Sequence, residues 1–229
     1  MLVNIAECLE GARAATGLVV VIDVFRAFSV ACYAVDNDAA RYYAVDNVKL
    51  ARKLADEYHG VLIGERDCIK VEGFDYGNSP TEIEAVDFSG KTIVHTTSAG
   101  TKGLVACGKA DEVITGSFVN AQAVVEYIRS RDPEVVTLVA MGTGGIIRAQ
   151  EDMMCAMYIK NQLEDYPNSF ETLKTFLSKV DSAEKFFDES KDYAPERDFD
   201  LCMALDRFDF VLKAEQNPAG GVRLEKITV

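Results

Sequence analysis

Two hydrophobic periods alternate along the chain. Leu18-Val19-Val20-Val21-Ile22 is an unbroken, mostly β-branched run, as expected of a strand buried on both faces. It stops at Asp23, and a helix is expected from near Arg26. Residues 41–45 predict a second strand. Val48, Ala51, Leu54, Ala55 and Tyr58 then recur at helical spacing behind Asp46-Asn47, either of which can cap that helix. Gly60 ends it and residues 61–63 read as a third strand, followed by a Gly-, Asp-, Asn- and Pro-rich loop over 64–81. Strands at 91–97, 112–115 and 135–141 follow, each leading into a helix: to about 107, from about 120 to 130, and from about 150 to 163.

This alternation predicts an α/β fold, three layers α/β/α around a mixed, largely parallel sheet. Residues 168–206 read as helical and acidic, with Phe170, Leu173, Phe176 and Leu177 as an apolar stripe. Two closing strands at 208–213 and 222–227 predict an antiparallel hairpin around Asn217-Pro218-Ala219-Gly220-Gly221. No repeat or long linker divides the chain, so residues 1–229 are expected to form a single domain.

Composition narrows the partners. Against 24 Lys and Arg stand 37 Asp and Glu, a formal charge of −13 and a pI near 4.6. Such a field repels nucleic acid and anionic membranes, so neither is an expected partner. A small anion remains compatible if its site supplies positive charge. Two His leave little for His-rich metal sites. The six Cys, at 8, 32, 68, 107, 155 and 202, form no C-x-x-C pair and read as reduced, structural thiols of a cytoplasmic protein. The apolar run at 18–22 is too short for a signal peptide or membrane span.

Chemistry concentrates where strands end, the edge at which open α/β sheets bind ligands. Asp23 with Arg26 suits a magnesium ligand beside a phosphate clamp, and suits equally a helix cap with a local ion pair. The 64–81 loop offers Glu65, Arg66, Asp75, Asn78 and Ser79. Thr96-Thr97-Ser98-Ala99-Gly100-Thr101 is a hydroxyl-rich turn into a helix, able to receive an anion or simply to cap. Gly116-Ser117-Phe118-Val119-Asn120 is another polar turn. Gly142-Thr143-Gly144-Gly145 lacks the Gly-Lys-Ser/Thr end of a P-loop, and Asp152 follows as either a metal ligand or a favourable first-turn charge. His95, inside a strand, reads as a satisfied core histidine.

Together the blocks DVFRAF (23–28), GER (64–66), EGFDYGNSPTE (72–82), TTSAGT (96–101), GSFVN (116–120) and EDMMCA (151–156) resemble, in order, those of the 2-phosphosulfolactate phosphatase family. The resemblance covers residues 18 to about 165 and rests most on EGFDYGNSPTE. It implies a magnesium-dependent phosphoric monoester hydrolase that converts 2-phosphosulfolactate to sulfolactate, a step toward coenzyme M. It implies Mg²⁺ as cofactor, with Asp23, Glu65, Asp75 and Asp152 around the metal and Asp23, Arg26 and Arg66 as catalytic groups. Asn78, Ser79, Thr97, Ser98, Gly100, Thr101, Ser117 and Asn120 would bind the substrate, and Glu151 completes the last motif. The chain departs from the pattern at Asp67-Cys68, where Gly is usual, and at Phe25 and Phe28, where Leu and Thr are common. Neither departure removes a charged group. A homodimer is the default expectation. Another Mg²⁺-dependent phosphotransfer enzyme on small phosphorylated acids, and a non-catalytic anion-binding module, are the competing expectations.

Overall fold

The computed structural model describes residues 1–229. In chain order the elements are β1 (Leu2–Glu7), α1 (Cys8–Ala14), β2 (Leu18–Ile22), α2 (Ala27–Asp36), β3 (Arg41–Val45), α3 (Val48–Tyr58), β4 (Val61–Arg66), β5 (Ile69–Lys70), α4 (Pro80–Ile83), β6 (Thr92–Thr96) and α5 (Gly100–Ala106). There follow β7 (Glu112–Gly116), α6 (Ala121–Arg131), β8 (Val135–Ala140), α7 (Gln150–Leu163), α8 (Phe170–Leu177), α9 (Glu196–Cys202), β9 (Phe210–Gln216) and β10 (Val222–Thr228). Short 3-10 turns lie at Phe118–Asn120 and Asp181–Phe186.

The continuous apolar run of β2 feeds two cores at once. All five residues are buried, and side chains alternate between faces with period two. Leu18, Val20 and Ile22 pack with Val124, Ile128 and Ile159 of α6 and α7. Val19 and Val21 pack with Val30 and Leu104 of α2 and α5. Helices thus cover both faces of a mixed, mostly parallel sheet, as the alternation predicts.

The ten strands are ordered β1-β8-β2-β7-β9-β10-β3-β6-β4-β5. One parallel block is β1, β8, β2 and β7; a second is β3, β6 and β4. The C-terminal hairpin β9–β10 lies between them and is antiparallel to both. Three antiparallel steps make the two blocks run in opposite senses. In a flat sheet their carboxyl ends would lie at opposite edges. Strand twist accumulates, roughly 100–125° over the five steps from β2 to β6. The Gly100 amide, just past β6, donates to Asp23 Oδ2, just past β2, at 2.8 Å. The polar ends of β2 and β6 therefore meet, but across the hairpin that separates two opposed blocks, whereas the strand-end pattern predicts a single edge of one sheet. The seam is thin: β7 and β9 pair only at Ile114 and Lys213.

Other differences are local. The edge strand β1 and helix α1 precede the first expected strand, and only Val3 of β1 is buried, so its periodicity is faint. β4 runs through Arg66, three residues past its expected end. It turns into β5 at Asp67-Cys68, both at positive φ (53° and 68°), the pattern of a two-residue hairpin turn that glycine usually fills. All six cysteines are free, and Cys32, Cys107, Cys155 and Cys202 are buried. No helix is long and apolar enough to cross a membrane.

Candidate active site

A cavity of about 100 Å³ opens where the ends of β2, β4, β6 and β8 converge, and the 3-10 turn at 181–186 closes one side. Its lining includes five carboxylates, Asp23, Glu65, Asp67, Glu151 and Asp152, and two cations, Arg26 and Lys185.

Asp23 leaves β2 just before α2. Its Oδ1 accepts from the Ala27 amide at 3.1 Å, capping α2, and its Oδ2 accepts from Gly100 at 2.8 Å. Asp23 therefore accepts from the first amide of α2, as the capping reading expects, and lines the cavity; the local ion pair with Arg26 does not form, because Arg26 pairs with Asp198. Gly100 permits the approach, since a Cβ there would stand 2.7 Å from Asp23 Oδ2. Asp152, in the first turn of α7, joins the ends of β2 and β8. Its Oδ1 accepts from Val24 N and its Oδ2 from Gly142 N, each at 2.8 Å. Gly142 is held at φ 66°, and a Cβ would lie 2.1 Å from Ile147 O. Glu65 accepts from Ser98 N at 2.6 Å, Cys68 N at 2.8 Å and Ser98 Oγ at 3.0 Å. Glu151 accepts from Ser182 Oγ at 2.5 Å.

Burial sets the electrostatics. It pushes the Asp23 carboxyl up to about 6, with Glu65 and Glu151 adding repulsion against hydrogen bonds from the Ala27 and Gly100 amides that only partly compensate. Asp152 is held well above the ordinary carboxylate range by burial first, then by Glu151 and Asp23. Burial also raises Glu151. Full ionisation of this set at neutral pH calls for a counter-cation, and carboxylate oxygens suit a hard one. The residues present therefore fit a divalent oxygen-liganded ion. No group of three or more His, Cys, Asp or Glu is gathered tightly enough to enclose a metal by itself.

The cations are positioned by the C-terminal third. Arg26 is only 2% exposed. Its Nη1 donates to Asp198 Oδ2 at 2.6 Å and to Tyr193 O at 2.9 Å. Asp198 Oδ1 also accepts from Ser79 Oγ at 2.7 Å, Thr81 Oγ1 at 2.6 Å and Thr81 N at 3.0 Å. One buried carboxylate thus ties α9 to both the DVFRAF and NSPTE blocks. Arg26 and Lys185 share the Phe186 ring, at 5.9 and 5.0 Å from its centroid.

Of the residues expected at the site, Asp23, Arg26, Glu65, Asn78, Ser98 and Asp152 line the cavity. Gly100 touches it through Asp23. The others are engaged elsewhere. Asp75 is exposed, and its Oδ2 accepts from Leu62 N at 2.8 Å. Arg66 follows Glu65 on β4 and so faces the other way, donating to Thr96 Oγ1 at 2.8 Å. Thr97 and Thr101 cap one another's backbone, the Thr97 amide donating to Thr101 Oγ1 at 2.8 Å. Ser117 and Asn120 form a buried capping box. Ser79 serves Asp198. In each case the side chain is engaged by backbone or side-chain partners outside the cavity lining.

His95 is the expected core histidine. Its Nδ1 pairs with Tyr42 Oη at 2.7 Å and its Nε2 with Asn78 Oδ1 at 3.1 Å, which leaves the Asn78 amide nitrogen for the cavity. Burial, then Arg66, lowers it to about 3. Cys68, read as structural, lines the cavity instead, as do Lys185 and the 142–144 turn. Their lining role follows from contacts far apart in sequence. Asp198 carried no local signal either, in a segment legible only as acidic helix.

An acidic, oxygen-rich α/β cavity with one buried and one half-buried cation suits a class of enzymes that handle small anions. The model of the 2-phosphosulpholactate phosphatase family matches residues 4–217. A probable 2-phosphosulfolactate phosphatase of Clostridium perfringens is 34% identical over 224 residues, covering 91% of this chain and 88% of the relative. One of Thermotoga maritima is 33% identical over 201 residues, covering 84% and 86%. The chain belongs to the 2-phosphosulfolactate phosphatase family.

Proposed function

We propose that this cavity hydrolyses the phosphate ester of 2-phosphosulfolactate with Mg²⁺ as cofactor, the P–O bond to C2 giving way to water and yielding sulfolactate and inorganic phosphate. The observation that carries it is the meeting of Asp23, Glu65, Glu151 and Asp152 with Arg26 in one buried cavity of a family member. Asp23, Glu65 and Asp152 would hold the ion, with Glu151 beside them; Asp75, exposed, engaged by Leu62 N and outside the cavity lining, is left out of the set. When bound, Mg²⁺ supplies positive charge to the phosphoryl oxygens. Arg26, fixed by Asp198 and Tyr193 O, offsets the negative charge that grows there in transfer. Asn78 and the Ser98 region orient the ester, and Asp23 sits at the reacting centre as nucleophile or as the carboxylate that directs water. The reduced thiols fit a cytoplasmic setting.

Phosphate release from 2-phosphosulfolactate, with and without chelator, tests the scheme. Chelation is expected to abolish turnover and Mg²⁺ to restore it; full activity in chelator would remove the metal. Asp23→Asn is expected to lower turnover at least about 100-fold. Wild-type turnover in that variant would remove Asp23 from the centre.

A further inference from the structure

The lining holds five carboxylates and two cations, and the two cations are not equivalent. Arg26 is buried, ion-paired to Asp198 and immobilised at the end of the segment that carries Asp23. Lys185 is half-buried and has no carboxylate partner at ion-pair distance. Its Nζ touches Cys68 Sγ at 4.0 Å and stands 5.0 Å from the Phe186 ring. Glu151 feels its positive charge without pairing to it. Its place is nevertheless fixed: Ala183 and Phe186 on either side are buried, and Phe186 packs edge-on against Phe25 at 5.1 Å.

We propose that Lys185 is a specificity-determining residue that receives a second anionic group of the substrate, the sulfonate, and not the phosphoryl group being transferred. This deepens the reading above and rests on it. 2-Phosphosulfolactate carries a carboxylate on the phosphorylated carbon and a sulfonate one carbon further out, and this outlying acid brings extra negative charge into a lining that is already acidic. A buried, pre-oriented guanidinium suits the reacting phosphate. The remaining ammonium is a point charge on a flexible stem, half-open to solvent and not neutralised. It is the one lining cation available to meet that second acid. It reaches the cavity from the 3-10 turn, outside every motif block, so substrate choice and phosphoryl chemistry sit on different segments.

The experiment compares 2-phosphosulfolactate with 2-phospholactate, which lacks only the sulfonate, in the wild-type protein and in Lys185→Gln and Lys185→Arg. Lys185→Gln is expected to raise KM for the sulfonated ester about 10- to 100-fold, the size of a lost charge-assisted hydrogen bond. Its kcat should stay within about twofold, KM for 2-phospholactate should change less than about threefold, and Lys185→Arg should recover most of the loss. Equal losses on both esters, a fall in kcat alone, or no change would overturn the assignment. Calorimetric titration with sulfolactate and with lactate separates this from failure of the hydrolase reading. If the wild-type protein hydrolyses neither ester, that reading fails. Lys185 then stands only if Lys185→Gln weakens sulfolactate binding and leaves lactate binding unchanged, and falls otherwise.

Discussion

Residues 23–152 and residues 180–200 build the same cavity by different means. The first region carries nearly all of the recognisable motifs, the last of which runs on to 156, and contributes the carboxylates, three of them pinned by backbone amides: Asp23 by Ala27 and Gly100, Asp152 by Val24 and Gly142, Glu65 by Ser98 and Cys68. The second carries no motif and governs the cations, since Asp198 holds Arg26 and Lys185 enters directly. Acidic groups can be held by backbone amides, which are plentiful at helix starts and strand ends, even where the amide comes from a distant segment, as those of Val24 and Gly100 do. A buried guanidinium cannot. It needs an acceptor delivered from elsewhere in the chain, or it remains an uncompensated charge.

The largest effect expected from this contrast is at Asp198. Asp198→Ala strips the partner from a buried Arg26 and leaves Ser79 and Thr81 without their acceptor, so denaturant unfolding should show a loss of about 3–5 kcal/mol. A loss below about 1 kcal/mol would mean that the two regions are not coupled through this residue. Next is Gly100→Ala. The added methyl would displace Asp23 and lower kcat by about 10- to 100-fold with the fold intact, as circular dichroism would verify. Unchanged kcat would show that the carboxylate cluster tolerates movement.

A smaller effect concerns His95. Its folded value, about 3, lies below the ordinary 6.5, so in that window the unfolded chain binds the extra proton. Its contribution to stability is complete above pH 6.5 and is lost as pH falls toward 3, with a slope of at most about 1.4 kcal/mol per pH unit. Unfolding followed from pH 7 to 4 should be shallower in His95→Gln than in the wild-type protein; parallel curves would contradict the assignment. The smallest is at Asp75. Asp75→Asn keeps an acceptor for Leu62 N, so stability should shift by less than about 0.5 kcal/mol and the metal requirement should not change. A tenfold loss of phosphate release would draw Asp75 into the carboxylate set and extend the first region to the exposed loop.

Much of this was legible beforehand for identifiable reasons. The run 18–22 is a two-faced strand because every position is apolar. Asn47 caps α3, its Oδ1 accepting from Leu50 N at 2.8 Å. The final hairpin lies around its Pro/Gly turn. Asp23, Arg26, Glu65, Ser98 and Asp152 stood out as polar groups at strand ends. Asp75 and Arg66 stand in motif blocks of the same kind but do not line the cavity, because composition does not state direction. Had β4 been extended through the GER block, period two would have put Glu65 and Arg66 on opposite faces. Hydroxyls at 97, 101 and 117 carry the same letters whether they bind a ligand or cap their own helix.

The sequence by itself determined the periodic alternation, hence the three-layer class, and the residues able to do phosphate chemistry. Both are written in local order and in side-chain identity. Only the tertiary structure decided that two opposed parallel blocks, joined through a C-terminal hairpin, twist until β2 and β6 share one cavity. It alone decided that Asp198, 172 positions from Arg26, sets that guanidinium, and that Lys185 faces the opening. Such contacts depend on how the sheet and its layers pack, and no local spacing encodes them.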